Sequence, residues 1–206
     1  MFTLNPQFKE SETLLVMALP SESQKLFEKE GIPVNYTGLG KVNAAFHTTR
    51  CLLLPPEEGA KLRNIKQVLN LGTAGSDSLS MGQIVECVEF VQRDMNLTPL
   101  GVPLGKTPLD KTPVRLKSQS ISNYPAVICG TGDSVEVSRT DGELNYEVMD
   151  MEAFAIAKVC YHLNIPFYSF KYITDGSNKN TLDDWNKNLR SASEALLKVY
   201  LQAVER

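Results

Sequence analysis

Continuous apolar runs, separated by segments of helical character, are the feature that most restricts how this chain can fold. The runs at residues 13–19 (TLLVMAL) and 125–129 (PAVIC) show no polar alternation, which is typical of strands buried on both faces. Helices are predicted at residues 22–29, 42–54, 153–163 and 183–206. Alternating strands and helices predict an α/β fold whose sheet is covered on both faces. No linker or internal repeat interrupts the pattern, so we expect residues 1–206 to form a single domain.

The overall composition argues against several classes of protein. With 22% charged residues and a formal net charge of −3, the chain lacks the basic footprint of a nucleic-acid binder. The apolar run at residues 14–19 is too short for a membrane span and has no basic region before it. The four cysteines are widely spaced without a C-x-x-C pair, which favours reduced thiols over disulfides or a zinc site. We therefore expect a soluble, cytoplasmic protein that binds neither nucleic acid nor membrane and holds no metal.

Carboxylates and small residues follow several of the predicted strands. Because the carboxyl ends of parallel strands meet at one edge of a sheet, we expect these residues to share a cleft there. Two acids on either side of a glycosidic bond are a known arrangement for its cleavage, provided that their surroundings differ. The features concerned are Glu22 after strand 13–19, the GTAGS turn at 72–76 after strand 67–71, Thr174 and Asp175 after strand 165–173, and Asp150 and Glu152 at the start of helix 153–163.

Each of these features also has a simpler, structural interpretation. An acid in the first turn of a helix stabilises the helix dipole, which would account for Glu22, Asp150 and Glu152 equally well. The GTAGS segment reads as an ordinary tight turn, and Trp185 fits a core position on the inner face of the last helix. The spacing by itself therefore leaves both interpretations open, and it gives Asp150 no role beyond the helix start.

Six short motifs occur in a characteristic order between about residues 14 and 178: MALPSE, GLGKVNAA, NLGTAGS, GTGDS, VMDMEAFAIAKVC and YITDGSN. This set resembles the nucleoside phosphorylase/nucleosidase superfamily, and within it most resembles the 5′-methylthioadenosine/S-adenosylhomocysteine nucleosidases. The resemblance implies a three-layer α/β/α fold with a central twisted mixed sheet. It also implies an N-glycosyl hydrolase that acts on a purine nucleoside without a cofactor, assembles as a homodimer and serves nucleoside catabolism and methionine salvage.

The same resemblance implies roles for nine residues, two of them catalytic and seven that bind substrate. An aromatic residue is usual where this chain has Val135, so the stacking of the base departs from the family pattern. The implied roles are Glu22 as the general base on the attacking water, Asp175 as the acid that protonates N7 of the purine, Glu152 as the acceptor for the ribose hydroxyls, Met151 against the sugar, Thr73 and Gly75 on the water or phosphate side, Thr174 in support of Asp175, and Val135 and Glu136 against the base.

The attacking nucleophile is either water or phosphate. Phosphorylases of the superfamily carry an arginine just after the first strand, whereas this chain reads ALPSESQK and has Glu22 there. Arginine is the usual partner of a phosphate dianion, and a carboxylate repels it. The sequence therefore favours hydrolysis. A phosphate-dependent phosphorylase and a non-catalytic nucleoside-binding homologue are the alternatives.

Overall fold

Strands and helices alternate along most of the chain, as the apolar runs predict. The structure, a computed structural model, describes residues 8–54, 64–135 and 144–205. In these ranges, no helix has the combination of length and apolar surface that a membrane span requires. The helices are α1 (Pro20–Ser23), α2 (Leu26–Lys29), α3 (Lys41–Leu53), α4 (Ala153–Leu163) and α5 (Thr181–Ala203). The strands are β1 (Phe8–Lys9), β2 (Thr13–Met17), β3 (Asn35–Tyr36), β4 (Gln67–Gly75), β5 (Ile84–Gln92), β6 (Arg115–Lys117), β7 (Ala126–Thr131), β8 (Val148–Asp150), β9 (Phe167–Asp175) and β10 (Val204–Glu205).

Eight of the strands form one mixed sheet that closes on itself. β4 runs parallel to β2 and β9, β9 runs antiparallel to β5, and β5 runs parallel to β7. β8 runs parallel to β7 and returns to β4 through an antiparallel bridge, so that β4, β9, β5, β7 and β8 make a ring. Gly75 pairs with both Met149 of β8 and Asp175 of β9. Three strands therefore meet at this one residue.

Side-chain alternation along β2 divides its residues between two cores. Leu14 and Val16 belong to the core that contains α4, whereas Leu15 and Met17 belong to the core that contains α5. Because helices cover both faces of the sheet, a strand in its interior needs apolar side chains at successive positions. This explains the unbroken apolar run and confirms the predicted arrangement of a mixed sheet between two helical layers.

Several segments differ from their sequence prediction. The helix expected over residues 22–29 is split into α1 and α2, because Gln24 and Lys25 adopt left-handed backbone angles, with φ of 49° and 59°. A turn was expected at residues 72–76, but β4 continues to Gly75 because β9 pairs with it from Val68 to Gly75. β6 and β8 were not predicted, since each has only three residues and too few positions for a periodic pattern.

A buried ion pair joins β9 to β8. The Nζ atom of Lys171 lies 2.8 Å from Oδ2 of Asp150, and both side chains are almost fully buried. Burial alone would raise the pKa of Asp150 and lower that of Lys171, but the attraction between the two charges reverses both shifts. Asp150 also accepts hydrogen bonds from Thr131 Oγ1 (2.6 Å) and from the backbone N–H of Ala153 (2.9 Å). The pair thus holds β9, β8, β7 and the start of α4 together.

Replacing Lys171 with methionine tests the importance of this pair, since it removes the ammonium group but keeps an unbranched side chain. Asp150 then stays buried without its counter-charge, and we expect the free energy of unfolding at neutral pH to fall by about 3–5 kcal/mol. The double variant K171M/D150N removes both charges and should regain a large part of this loss. Denaturant titrations of the wild type and both variants measure the difference.

The exposed ion pair between Arg190 and Glu194 on α5 provides a matched control. The variant E194Q should unfold at nearly the wild-type denaturant concentration, because an exposed pair contributes little. A double variant K171M/D150N that is no more stable than K171M would contradict the assigned role of the buried pair.

Candidate active site

A cavity of about 280 Å³ lies at the edge of the sheet where β2, β4 and β9 end. The strand-end rule predicted a shared cleft at this edge, and four acidic residues do line the cavity: Glu22, Asp150, Glu152 and Asp175. Of the nine residues singled out through the family resemblance, Glu136 lies outside the described residues. The other eight all line the cavity: Glu22, Thr73, Gly75, Val135, Met151, Glu152, Thr174 and Asp175.

Four hydrogen bonds fix the carboxylate of Glu22 in place. Its Oε2 atom accepts the backbone N–H groups of Ala18 and Leu19, each at 3.1 Å, because α1 turns the chain back over the end of β2. Its Oε1 atom accepts both the backbone N–H (2.8 Å) and the hydroxyl (2.9 Å) of Thr73. Glu22 is buried and joins the end of β2 to β4, so it does more than complement a helix dipole.

Asp175 lies at the end of β9 and is held by three hydrogen bonds. Oδ1 accepts the backbone N–H of Ser177 (3.0 Å) and the hydroxyl of Thr181 (3.2 Å), and Oδ2 accepts the hydroxyl of Thr174 (3.0 Å). A Cβ atom at Gly75 would lie 2.5 Å from Ser177 Oγ and 2.7 Å from Asp175 Oδ1, so a side chain there would force these two groups to move. Glycine at position 75 therefore gives the carboxylate of Asp175 its place beside β4.

Glu152 stands immediately before α4 and reaches across to the loop before α3. Its Oε1 atom accepts the backbone N–H of Gly40 at 2.9 Å. Burial, together with the nearby charge of Asp150, raises the pKa of Glu152 to about 8, against the opposing effects of Lys171 and the Gly40 N–H. A carboxyl group with this pKa changes its charge readily near neutral pH, depending on what binds beside it.

The remaining predicted residues line other parts of the cavity. Thr174 is fully buried, and its hydroxyl donates to Asp175 Oδ2. Met151 provides an apolar wall between Asp150 and Glu152. Val135 is 63% exposed, so it stands at the rim of the cavity without aromatic surface for a base.

Sequence reasoning missed two residues at this site. Lys171 was predicted only as part of a strand, yet its ammonium group lies close to Gly72, as does Glu22 Oε1. A Cβ atom at Gly72 would lie 3.3 Å from Lys171 Nζ and 3.1 Å from Glu22 Oε1. Trp185 was expected in the core, yet it lines the cavity, and its indole N–H donates to Thr73 Oγ1 at 3.0 Å. Trp185 could have been predicted from its position, because it lies in the first turns of the helix that follows the strand ending at Asp175.

The cavity is rich in acids and poor in cations. Among the described residues that line it, the only cationic side chain is Arg93, whose guanidinium donates hydrogen bonds to the backbone carbonyls of Ser134 and Gly132. Lys171 lies behind the wall and is paired with Asp150. Lys25, the other cation near the first strand, is exposed and does not line the cavity. The site therefore offers little positive charge to a dianion.

Replacing Glu152 with glutamine should remove a pH dependence of stability. The pKa of glutamate is 4.5 without perturbation, and that of Glu152 in the folded protein is about 8. Between these values the folded state keeps a proton that the unfolded state has lost, so the wild-type free energy of unfolding should fall as the pH rises through this window. The total change is on the order of a few kcal/mol.

Denaturant titrations at several pH values across this window test the prediction. The variant E152Q has no such proton to lose, and its stability should fall much less over the same range. Parallel pH profiles for the wild type and E152Q would contradict the raised pKa.

Comparisons with known proteins agree with this fold. Among curated proteins, a 5′-methylthioadenosine/S-adenosylhomocysteine nucleosidase from Staphylococcus haemolyticus is 29% identical over 204 residues, which covers 85% of this chain and 84% of that protein. A solved nucleosidase of the same name from Helicobacter pylori superposes with a TM-score of 0.78 at 19% identity, covering 95% of this chain and 99% of that one. Futalosine hydrolase from Helicobacter pylori superposes with a TM-score of 0.77 at 20% identity, covering 92% and 96%.

The two solved structures are too distant in sequence to show more than the shared fold. The family itself is shown by the sequence. Residues 26–205 match the model of the phosphorylase superfamily, and the chain therefore belongs to that superfamily.

Proposed function

We propose that this protein hydrolyses the N-glycosidic bond of a purine nucleoside of the 5′-methylthioadenosine/S-adenosylhomocysteine type and releases the free base. The observation that carries this proposal is the placement of Glu22 and Asp175 against Thr73 and Gly75 of β4. Thr73 and Gly75 are alternate residues of one strand, about 7 Å apart, so the two acids stand beside separate positions of β4 in the same cavity. The names of the curated relatives support the choice of nucleoside.

The reaction assigns one step to each of the two acids. Glu22 accepts a proton from water while the water oxygen forms a bond to C1′ of the ribose. The bond between C1′ and the purine nitrogen breaks, its electron pair goes to the base, and Asp175 gives a proton to N7 so that the base leaves neutral. The products are the free purine and a sugar with a hydroxyl group at C1′.

Glu152 and Met151 bind the sugar in this proposal. The carboxylate of Glu152 accepts the ribose hydroxyls, and its negative charge stabilises the positive charge that develops on the sugar in the transition state. Because donors beside a carboxyl group favour its anionic form, ribose binding should convert Glu152 to the carboxylate. Met151 then packs its apolar side chain against the sugar ring.

Water is the nucleophile that the charges of the cavity support. A phosphate dianion would meet Glu22, Glu152 and Asp175, and among the described residues only Arg93 would line the cavity with an opposite charge. The two N–H groups that a phosphate could use at the end of β2, those of Ala18 and Leu19, already donate to Glu22. These contacts favour hydrolysis over phosphorolysis.

The protein acts as a homodimer in this proposal. Leu39, Val42 and Phe46 lie in or beside the N-terminal half of α3 and are 49%, 79% and 60% exposed. Leu39 and Val135 also line the active-site cavity, so this apolar surface continues into its mouth. A cluster of exposed apolar side chains of this kind commonly marks a protein–protein contact, and a second copy of the chain would cover it.

We also place the reaction in the cytoplasm, in nucleoside catabolism and methionine salvage. Two observations support this placement. All four cysteines lie in the described residues, none of them forms a disulfide and three are buried, which suits a reducing compartment. The relatives' names specify nucleosides of this class.

Replacing Asp175 with asparagine tests the proposed acid directly. The wild type, assayed for base release from methylthioadenosine, adenosylhomocysteine, futalosine and simple purine nucleosides, should act at the same rate with and without phosphate. The variant D175N should release the base about 10²–10³ times more slowly, because the amide cannot give a proton to N7. Its far-ultraviolet circular dichroism should match that of the wild type.

The variant D183N is the matched control, since Asp183 is an exposed aspartate in the first turn of α5. Its rate should equal that of the wild type. Base release that requires added phosphate would show a phosphorylase instead. Binding of the whole panel without turnover would show a non-catalytic homologue, and near-normal activity of D175N would exclude the proposed acid.

Replacing Phe46 with glutamate tests the dimer. A buried charge at the contact should shift the protein from dimer to monomer in analytical ultracentrifugation. The control is L201E on α5, where Leu201 is similarly exposed but lies on a different helix. A monomeric wild type, or a variant F46E that remains dimeric, would contradict the assignment of this surface.

A further inference from the structure

Trp185 forms a directional hydrogen-bond chain with the residue proposed to activate water. The indole N–H of Trp185 donates to Thr73 Oγ1 at 3.0 Å, and Thr73 Oγ1 lies 2.9 Å from Glu22 Oε1. An indole nitrogen can only donate, so the proton of the Thr73 hydroxyl cannot point to Trp185. The hydroxyl proton therefore points to Glu22, because an ionised carboxylate is an acceptor and has no proton to donate.

The direction of this chain determines what Thr73 can offer to a water molecule. Its hydroxyl proton is committed to Glu22, and one of its two lone pairs is committed to Trp185. The remaining lone pair can accept a hydrogen from water. The hydroxyl has no proton left to donate to the water oxygen. Because Thr73 lines the cavity, a water beside it would direct a hydrogen at Thr73 Oγ1, next to the carboxylate of Glu22, and present its oxygen lone pair to the sugar.

Helix α5 reaches both catalytic acids through its N-terminal half. Trp185 donates to Thr73, which in turn donates to Glu22, whereas Thr181 donates directly to Asp175 Oδ1 at 3.2 Å. Asn188, one turn further on, donates to the backbone carbonyl of Thr174 at 2.8 Å. The helix is therefore tied to both ends of the site, and Trp185 is its connection to the water side.

We infer that Trp185 is a positioning residue that fixes the Thr73 hydroxyl and, through it, the carboxylate of Glu22 for attack by water. The inference rests on the proposed hydrolysis. Trp185 does not itself touch the reacting atoms in this role. Its ring forms part of the cavity wall, and its N–H group sets the direction of the hydrogen-bond chain.

Replacing Trp185 with phenylalanine removes the donor and keeps an aromatic ring in the wall. We expect kcat to fall by about five- to tenfold, as for the loss of one hydrogen bond, with KM changed by less than about twofold. The variant T73V breaks the chain at its centre, so the double variant W185F/T73V should be no slower than T73V alone. A W185F variant with wild-type kcat, or additive losses in the double variant, would overturn the inference.

A spectroscopic series tests the same contact without any turnover. Trp185 is the only tryptophan of the chain, so the emission spectrum reports on this site alone. The emission of T73V should differ from that of the wild type because the indole N–H loses its acceptor, and T73S, which keeps the hydroxyl, should restore it. The exposed control T98V should leave both the emission and kcat unchanged. Wild-type emission in T73V would overturn the contact.

The two experiments also separate this inference from the proposed function. A wild type that cleaves no nucleoside in the panel would refute the hydrolysis, whatever the emission shows. A wild type that is active, combined with a W185F variant that has unchanged kinetics, would leave the hydrolysis intact and exclude the positioning role.

Discussion

The ammonium group of Lys171 is the charge on which the acidic cavity depends. Glu22, Asp150, Glu152 and Asp175 line one cavity, and each is at least nine-tenths buried. Carboxylates in such surroundings repel one another and lose hydration. Lys171 neutralises Asp150 directly, and its charge opposes the rise in the pKa of Glu152 that burial and Asp150 cause. The fold thus keeps its acids close together by placing one buried cation behind them.

Strand β4 supplies the surface on which this charge arrangement is built. Two of its last residues are glycines that leave room for charged side chains. Gly72 leaves room for Glu22 and Lys171, and Gly75 leaves room for Asp175. Thr73 between them holds Glu22 through both its backbone N–H and its hydroxyl. A segment that looks like an ordinary turn in the sequence is therefore a strand whose small side chains let three charged residues approach its backbone.

The acids themselves could be predicted, because a simple rule relates their position in the sequence to their position in space. Glu22 follows β2 and Asp175 ends β9, both strands run parallel to β4, and parallel strands end at the same edge. Lys171 and Trp185 could not be found in this way. Lys171 lies inside a strand, where its role depends on a side chain from a neighbouring strand, and Trp185 lies on a helix whose rotation about its axis is set by packing. Asp150 had no assignable role for the same reason, since its partner is 21 positions away on another strand.

The sequence by itself determined the alternation of strands and helices, the layered α/β architecture, and the edge at which the acids collect. These properties follow from local periodicity and from the direction of the chain, which a single sequence contains. Only the tertiary structure decided which acid is paired, which has a raised pKa, and which side chain orients the Thr73 hydroxyl. Those properties depend on distances between groups that are far apart in the chain and on the exclusion of water from around them, and neither exists until the sheet has closed.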